Sequence, residues 1–344
     1  MVHVLWKGII MKYLKYLILL LIGLCLHPLE VTADNQAAFS VNAEQSPYQV
    51  DKQQTYFDLK APVNQKTDLV IHVTNNSDKN LDIKGEIAQA TTNINGVVEY
   101  SKTTNKLTKN VPFDITKIAQ FEKAKQTIAP HQTADFIIHV TTPTDDYAGL
   151  VAGGISFHDV TKDDEDDKNS GMFKNKFAYA IALLLHGKKE IQANNLTLTK
   201  AKAGQANGWN VVYATIENLS SNYLGGVKIK AKVVDQNQKE VLNVKKENLQ
   251  ISPDSIFQLP IYYNGKTMKA GKYQVQLKIT SKGKTWNLKK DFTITAKKAT
   301  DLNKTDISPK PKPDYTKWLV IGLSVIVIIL ILVIVLLLKN KKER

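Results

Sequence analysis

The 344-residue chain has a single cysteine, Cys25, and a single arginine, Arg344. One cysteine excludes a disulfide framework and any zinc site built on cysteines. The shortage of arginine bears on the charge. The formal net charge is +14, from 46 Lys+Arg against 32 Asp+Glu. A basic chain invites a nucleic-acid reading. Sequence-specific DNA readers depend on the bidentate guanidinium, and this chain has almost none to offer. No nucleic-acid partner is expected. Catalytic signatures are also missing. The sequence has no G-x-S-x-G elbow, no H-E-x-x-H helix and no P-loop, and no carboxylate pair in a glycosidase context. The chain therefore reads as non-enzymatic, with no catalytic residues, no cofactor and no metal. A wall-modifying enzyme is the remote alternative.

Two apolar segments frame the chain. Lys12 and Lys15 precede an apolar stretch from Tyr16 to Leu26, about eleven residues long. That length fits a signal peptide and is too short to span a bilayer. Val31-Thr32-Ala33 supplies small residues before Asp34, so residues 1–33 are expected to be cleaved, with Met11 an alternative start. Cys25 follows Leu24, which is not small, so lipidation is not expected; cleavage leaves the mature chain without cysteine. The second segment, Trp318 to Leu338, is an unbroken apolar run of about 21 residues. At 1.5 Å per residue it covers the roughly 30 Å of a hydrocarbon core. Lys339, Lys341, Lys342 and Arg344 follow at once. The positive-inside rule puts this tail, residues 339–344, in the cytoplasm and the body outside. The expected location is the plasma membrane, crossed once.

The body between Asp34 and Lys317 alternates with period two. Leu69, Ile71 and Val73 share one face, as do Phe136, Ile138 and Val140, and Tyr273, Val275, Leu277 and Ile279. Turn signals recur at Asn95-Gly96, Asn264-Gly265 and Lys282-Gly283. Long amphipathic helical patterns are scarce. The pattern predicts an all-β ectodomain of two tandem immunoglobulin-like β-sandwiches, residues 34–187 and 188–296. Phe177 to Leu185 reads as a buried strand that closes the first. A final hairpin through Trp286, Leu288, Phe292 and Ile294 closes the second. Residues 297–317, with Pro309, Pro311 and Pro313 spaced by charged residues, read as a linker reaching about 60 Å, and 318–338 as the transmembrane helix.

Specific strings then become recognisable: FSVNAEQSPYQV near the mature start, Pro130-His131-Gln132-Thr133, YAGLVAGGISF at Tyr147–Phe157, ISPDSIFQLPI at Ile251–Ile261 and AGKYQVQLKI at Ala270–Ile279. They resemble the WxL-interacting proteins of Gram-positive bacteria. The resemblance runs from about Phe39 to the anchor. It implies a non-catalytic surface tether, with peptidoglycan held by the first domain. WxL-domain surface proteins, and host extracellular matrix as a further ligand, would be held by the second. A host-facing adhesin is the alternative. The resemblance carries no residue-level glycan motif.

Individual residues are less telling. His72 and His139 lie on the faces opposite their strands' apolar residues and read as solvated strand histidines, which could be neighbours if the strands pair. A zinc site would still lack a third ligand. The run Asp163-Asp164-Glu165-Asp166-Asp167 reads as a solvated acidic loop rather than a calcium site. Exposed aromatics serve sugars and interfaces, which makes Tyr48, Tyr56, Phe57 and Tyr147 candidates in the first domain, with core packing the first reading for each. Tyr262 and Tyr263 are adjacent on a strand, so one must face away from the core, where tyrosine is enriched at protein interfaces; both are candidates. The charge is also divided. Residues 34–187 hold 15 basic and 20 acidic side chains, a net of −5; residues 188–317 hold 24 and 10, a net of +14.

Overall fold

The computed structural model describes residues 37–161, 178–189, 195–310 and 320–332. Residues 1–33, expected to be a signal peptide, the acidic run 163–167, Trp318, Leu338 and the tail residues Lys339, Lys341, Lys342 and Arg344 lie outside these residues. The protein is mostly β. Its N-terminal half contains β1 (Phe39–Ala43), β2 (Phe57–Leu59), β3 (Lys66–Asn75), β4 (Leu81–Gln89), β5 (Thr91–Thr92), β6 (Val98–Glu99), the one-turn α1 (Ile115–Ile118), β7 (Ala119–Phe121), β8 (Lys125–Ile128), β9 (Thr133–Thr141), β10 (Leu150–Asp159) and β11 (Ala178–His186). The C-terminal half contains β12 (Leu196–Ala206), β13 (Trp209–Asn218), β14 (Leu224–Asp235), β15 (Glu240–Ile251), β16 (Ile256–Tyr262), β17 (Gly271–Ser281), β18 (Lys284–Ile294) and α2 (Ala296–Thr305).

Each half packs two sheets face to face. In the first, β1-β3-β9-β7 covers β2-β11-β10-β4-β8. The alternation seen in the sequence is what makes this work, because every second side chain of a strand faces the same way. Leu69, Ile71 and Val73 of β3 and Phe136, Ile138 and Val140 of β9 are all buried. Phe136 meets Phe157 of the opposite sheet edge-on, with centroids 5.1 Å apart. In the second half, β12-β13-β16 packs on β15-β14-β17-β18 around one apolar cluster. The β17–β18 hairpin turns at Lys282 and Gly283, with φ of 44° and 82°. Positive φ at both positions matches the strand twist, and glycine takes the second without strain. Each half also ends a central strand with a buried asparagine. Asn75 donates to the carbonyls of Lys79, Ile128 and Ala129, and Asn218 to those of Asn222 and Ser252.

Two sequence expectations need correction. The segment expected to be linker from residue 297 begins as helix. Thr295 caps α2 by accepting the Lys298 amide at 3.2 Å, and Ala299 and Leu302 bury against the C-terminal core. Asn303 donates to the Met268 carbonyl at 2.8 Å, and Ile307 pairs with Gly208. Composition hid this helix because only a narrow apolar stripe faces the core. The second correction concerns β11. It was expected to be buried throughout, but only Leu183, Leu184 and Leu185 are; Ala178 and Ala180 are exposed. The neighbouring β2 is too short to cover the rest.

Residues 320–332 are helical and exposed along their length. Among the described residues no helix is long and apolar enough to cross a membrane.

Candidate functional site

The halves are joined by a seam rather than by a single crossing of the chain. The β5–β6 hairpin and the segment after it reach from the first half onto the second. The Gln250 amide donates to the Gly96 carbonyl at 2.8 Å, Ile256 to Lys106 at 3.0 Å, and Thr108 to Asp254 at 2.7 Å. Leu107 and Ser255 form a β-bridge. Further along, the Leu150 amide donates to the Ser221 carbonyl at 2.9 Å. Two glycines of the string YAGLVAGGISF clear the way, Gly149 for the second half and Gly154 for the segment that follows β6 within the first. A Cβ on Gly149 would sit 2.2 Å from the Ser221 carbonyl oxygen, and one on Gly154 2.0 Å from that of Tyr100. Asp254 is buried in the seam, where one carboxylate oxygen accepts from the Ser221 hydroxyl at 2.7 Å. The other has no partner, and burial holds the carboxyl above its ordinary range.

Beside the seam lies a groove of about 690 Å³. Tyr56, Tyr100, Tyr179 and Tyr223 line it, with Val41 to Ala43 of β1, Ala180 to Ala182 of β11, and Leu224, Gln250 and Lys282 from the second half. The Tyr100 and Tyr223 hydroxyls are 3.2 Å apart across it. Desolvation of the Tyr223 phenol raises its pKa far above the usual value.

The outer faces of the halves are electrically opposite. On β3 and β9 the spacing Asp-x-x-x-His occurs twice, at Asp68–His72 and Asp135–His139. The antiparallel register sets each aspartate against the other strand's histidine. His72 Nδ1 is 2.7 Å from Asp135, and His139 Nδ1 is 2.8 Å from Asp68. Glu44 and Glu122 flank the outer nitrogens at 3.9 and 4.0 Å. The two histidines are therefore matched with carboxylates and not with each other, on an exposed strand face. Among the described residues no cluster could hold a metal ion. The Asp68 hydrogen bond, assisted by the charges of Asp68 and Glu122, raises the His139 pKa.

On the second half, Lys228, Lys230 and Lys232 of β14 point outward. Register places Lys230 directly opposite Lys245 of β15 and Lys278 of β17, so three lysines stand side by side. Like charges in that position repel. Glu247, bonded to Lys245 at 3.0 Å, has its pKa lowered by Lys245 first and then by Lys228 and Lys230.

The tyrosines singled out from sequence separate. Tyr263 is 2 % exposed, with its hydroxyl unpartnered in the core, so it is withdrawn as a partner-binding residue. Tyr262, its neighbour, turns outward and meets the Trp209 ring edge-on at 6.0 Å. Tyr147 is half-buried against Phe113 at 4.9 Å, and burial raises its phenol pKa. Phe57 is core, and Tyr48 is partly buried outside the groove. Of the earlier candidates only Tyr56 reaches the groove. Tyr100, Tyr179 and Tyr223 were not legible as a set, because three separate stretches of chain bring them together.

The family model for the WxL Interacting Protein, peptidoglycan binding domain, matches residues 39–159. That for the WxL Interacting Protein, host binding domain, matches residues 168–304. The second match takes in β11, which the structure pairs with β10 of the first half. No curated protein matches the chain. Among solved structures, the chaperone–tip adhesin complex of CFA/I fimbriae is similar at 12% identity, over 73% of this chain and 98% of that one, with a TM-score of 0.33. The E. coli chaperone DraB gives 15%, 75%, 99% and 0.30. The Salmonella enterica SafA pilin–SafB chaperone complex gives 9%, 76%, 98% and 0.31. Likenesses at that level carry no argument.

Proposed function

Because the chain belongs to the WxL-interacting protein family, we propose that it is a non-catalytic surface tether, built from two immunoglobulin-like sandwiches. The first would hold peptidoglycan, and the second WxL-domain proteins, with host matrix as a further ligand. The apolar run Trp318 to Leu338 would anchor it in the plasma membrane of a Gram-positive cell, body outside. The observation that carries the reading is the tandem order of the two matched domains, in one chain and ahead of one apolar run. The lysine row of β14, β15 and β17 supports an electrostatic share in holding an acidic partner or wall polymer.

The adhesin alternative loses ground to α2. With Ile307 held against Gly208, only residues 309–317 remain before the apolar run. In polyproline form they reach about 28 Å, which would keep the body close to the bilayer.

The test is co-sedimentation of the detergent-solubilised full chain with purified peptidoglycan, alongside capture by a purified WxL-domain protein. Binding to both is expected. Binding to neither would end this reading. Release of soluble wall fragments during incubation would favour an enzyme, and strong antibody access on intact cells an adhesin.

A further inference from the structure

Among the described residues, the side of the N-terminal half next to the groove is open along a strand edge. On one side of β11, Ala178 to Ala182 pair with β10. On the other, β2 runs parallel and reaches only Leu183, Leu184 and Leu185. Before Phe57 the chain turns away, with the Gln54 amide bonded to the Asp51 carbonyl. Among the described residues no hydrogen bond reaches Ala178 to Ala182 from that side. Among the described residues the facing sheet is open there too, since β1 is its outermost strand.

Exposed edges are hazards that proteins normally block with charge or proline. The edges of the second half follow that rule: β12 carries Lys200 and Lys202, β16 Pro260, β15 Lys245 and Lys246, and β18 Lys284, Lys289 and Lys290. In the first half, Lys125 guards β8. Residues 178–182 read Ala-Tyr-Ala-Ile-Ala, with neither charge nor proline. At about 3.3 Å per residue, five residues offer roughly 17 Å of unguarded backbone.

We propose that this edge of β11 takes one extended strand of a partner protein, added beside Ala178 to Ala182 and seated in the tyrosine groove. The two faces of the edge differ, which sets the chemistry of the guest. Tyr179 meets Phe39 at 5.0 Å, and Ile181, two residues on, shares that face toward β1. Guest side chains on that row must be small and apolar. Ala182 and Leu184 face the other way, onto Tyr56, Tyr100 and Tyr223. Among the described lining residues the one charged side chain is Lys282, for which no ion pair is formed. The guest strand therefore carries a carboxylate at the end nearest Lys282. A glycan chain would use the tyrosine faces but leave the backbone donors and acceptors of β11 unpaired. A peptide backbone satisfies both.

This inference rests on the partner reading above and places that partner at the junction of both halves. The experiment is hydrogen–deuterium exchange on the detergent-solubilised full chain, with and without a purified WxL-domain protein. Exchange across 178–182 is expected to slow by roughly tenfold or more on binding. Ala180→Lys, which places a charge on an exposed edge position, should weaken binding by roughly tenfold, whereas Ala180→Val should preserve it. Lys282→Glu should weaken it as well. Unchanged exchange at 178–182 in a complex that does form overturns the strand proposal and leaves the partner reading standing. No complex at all overturns both. Protection of 178–182 by soluble peptidoglycan fragments, with no effect of the WxL-domain protein, assigns the groove to glycan and also overturns it.

Discussion

The Thr92 hydroxyl lies 2.9 Å from that of Ser255, both buried, although 163 residues separate them in the chain. The same Thr92 oxygen accepts from the Ser252 amide at 2.9 Å. Thr92→Val keeps the shape but strands that amide in a dry seam, which costs about 1–3 kcal/mol. Chemical denaturation should show the loss as one cooperative transition, followed both by tryptophan fluorescence of the second half and by the His139 resonance of the first. Two separate transitions in the unaltered protein would show that the seam does not couple the halves.

Asp254 predicts an inverted pH response. Its folded pKa is raised by burial, the Ser221 hydrogen bond offsetting only part of that. The folded state then holds this proton more tightly than the unfolded chain. Its contribution is greatest below the ordinary carboxylate pKa and falls as pH climbs toward the folded value. Asp254→Asn keeps an acceptor for Ser221 and removes the ionisation. Urea midpoints from about pH 4 to about pH 7 should decline less in the variant, which should be the more stable at neutral pH. A variant less stable at every pH would refute the account.

At His139 the sign is the same, although here the favoured form is the charged one. A raised histidine pKa means that the Asp68 pairing is fully present below the unfolded pKa and lost as pH rises through the folded one. In Asp68→Asn, an NMR titration of His139 should move down toward the ordinary imidazole value. No change would mean that the cross-strand pair does not persist in solution.

Lys230 sits at the centre of the three-lysine row. Lys230→Thr relieves repulsion on both sides and suits a strand, so thermal stability should hold or rise. Binding to a wall polymer or acidic partner should weaken, and its salt dependence should flatten. Equal binding and an equal salt slope would remove the row from the interaction.

Leu302→Ala empties part of the contact between α2 and the core, at a cost of about 2–4 kcal/mol. Protease cleavage near residue 305 should become faster than cleavage within the sheets. If cleavage elsewhere rises equally, α2 is not the separable element described above.

Period-two alternation made most strands readable, because residues such as Val73 and Val140 alternate with polar neighbours whatever the tertiary context. Lys282-Gly283 was readable for a local reason as well, since the turn chemistry sits in two residues. The open edge of β11 was not. Ala178 and Leu184 belong to one apolar run, and what separates them is the length of β2, more than a hundred residues earlier. α2 was hidden because its polar composition resembles the Lys- and Pro-rich stretch that follows. Thr295 as a cap, with Ala299 and Leu302 three apart, was the signal available. The glycines of YAGLVAGGISF were visible as a family-like string, but their reason was not. Gly149 and Gly154 are small because Ser221 and Tyr100 come from elsewhere to lie on them.

The seam also sets how two ligands would meet. With Leu107, Thr92 and Leu150 all bonded across it, the tyrosine groove and the lysine row are tied together by direct contacts between the halves. A strand held at one and a polymer held at the other keep a constant spacing. Their mutual effective concentration follows from the folded geometry, and avidity arises only for assemblies that match that distance.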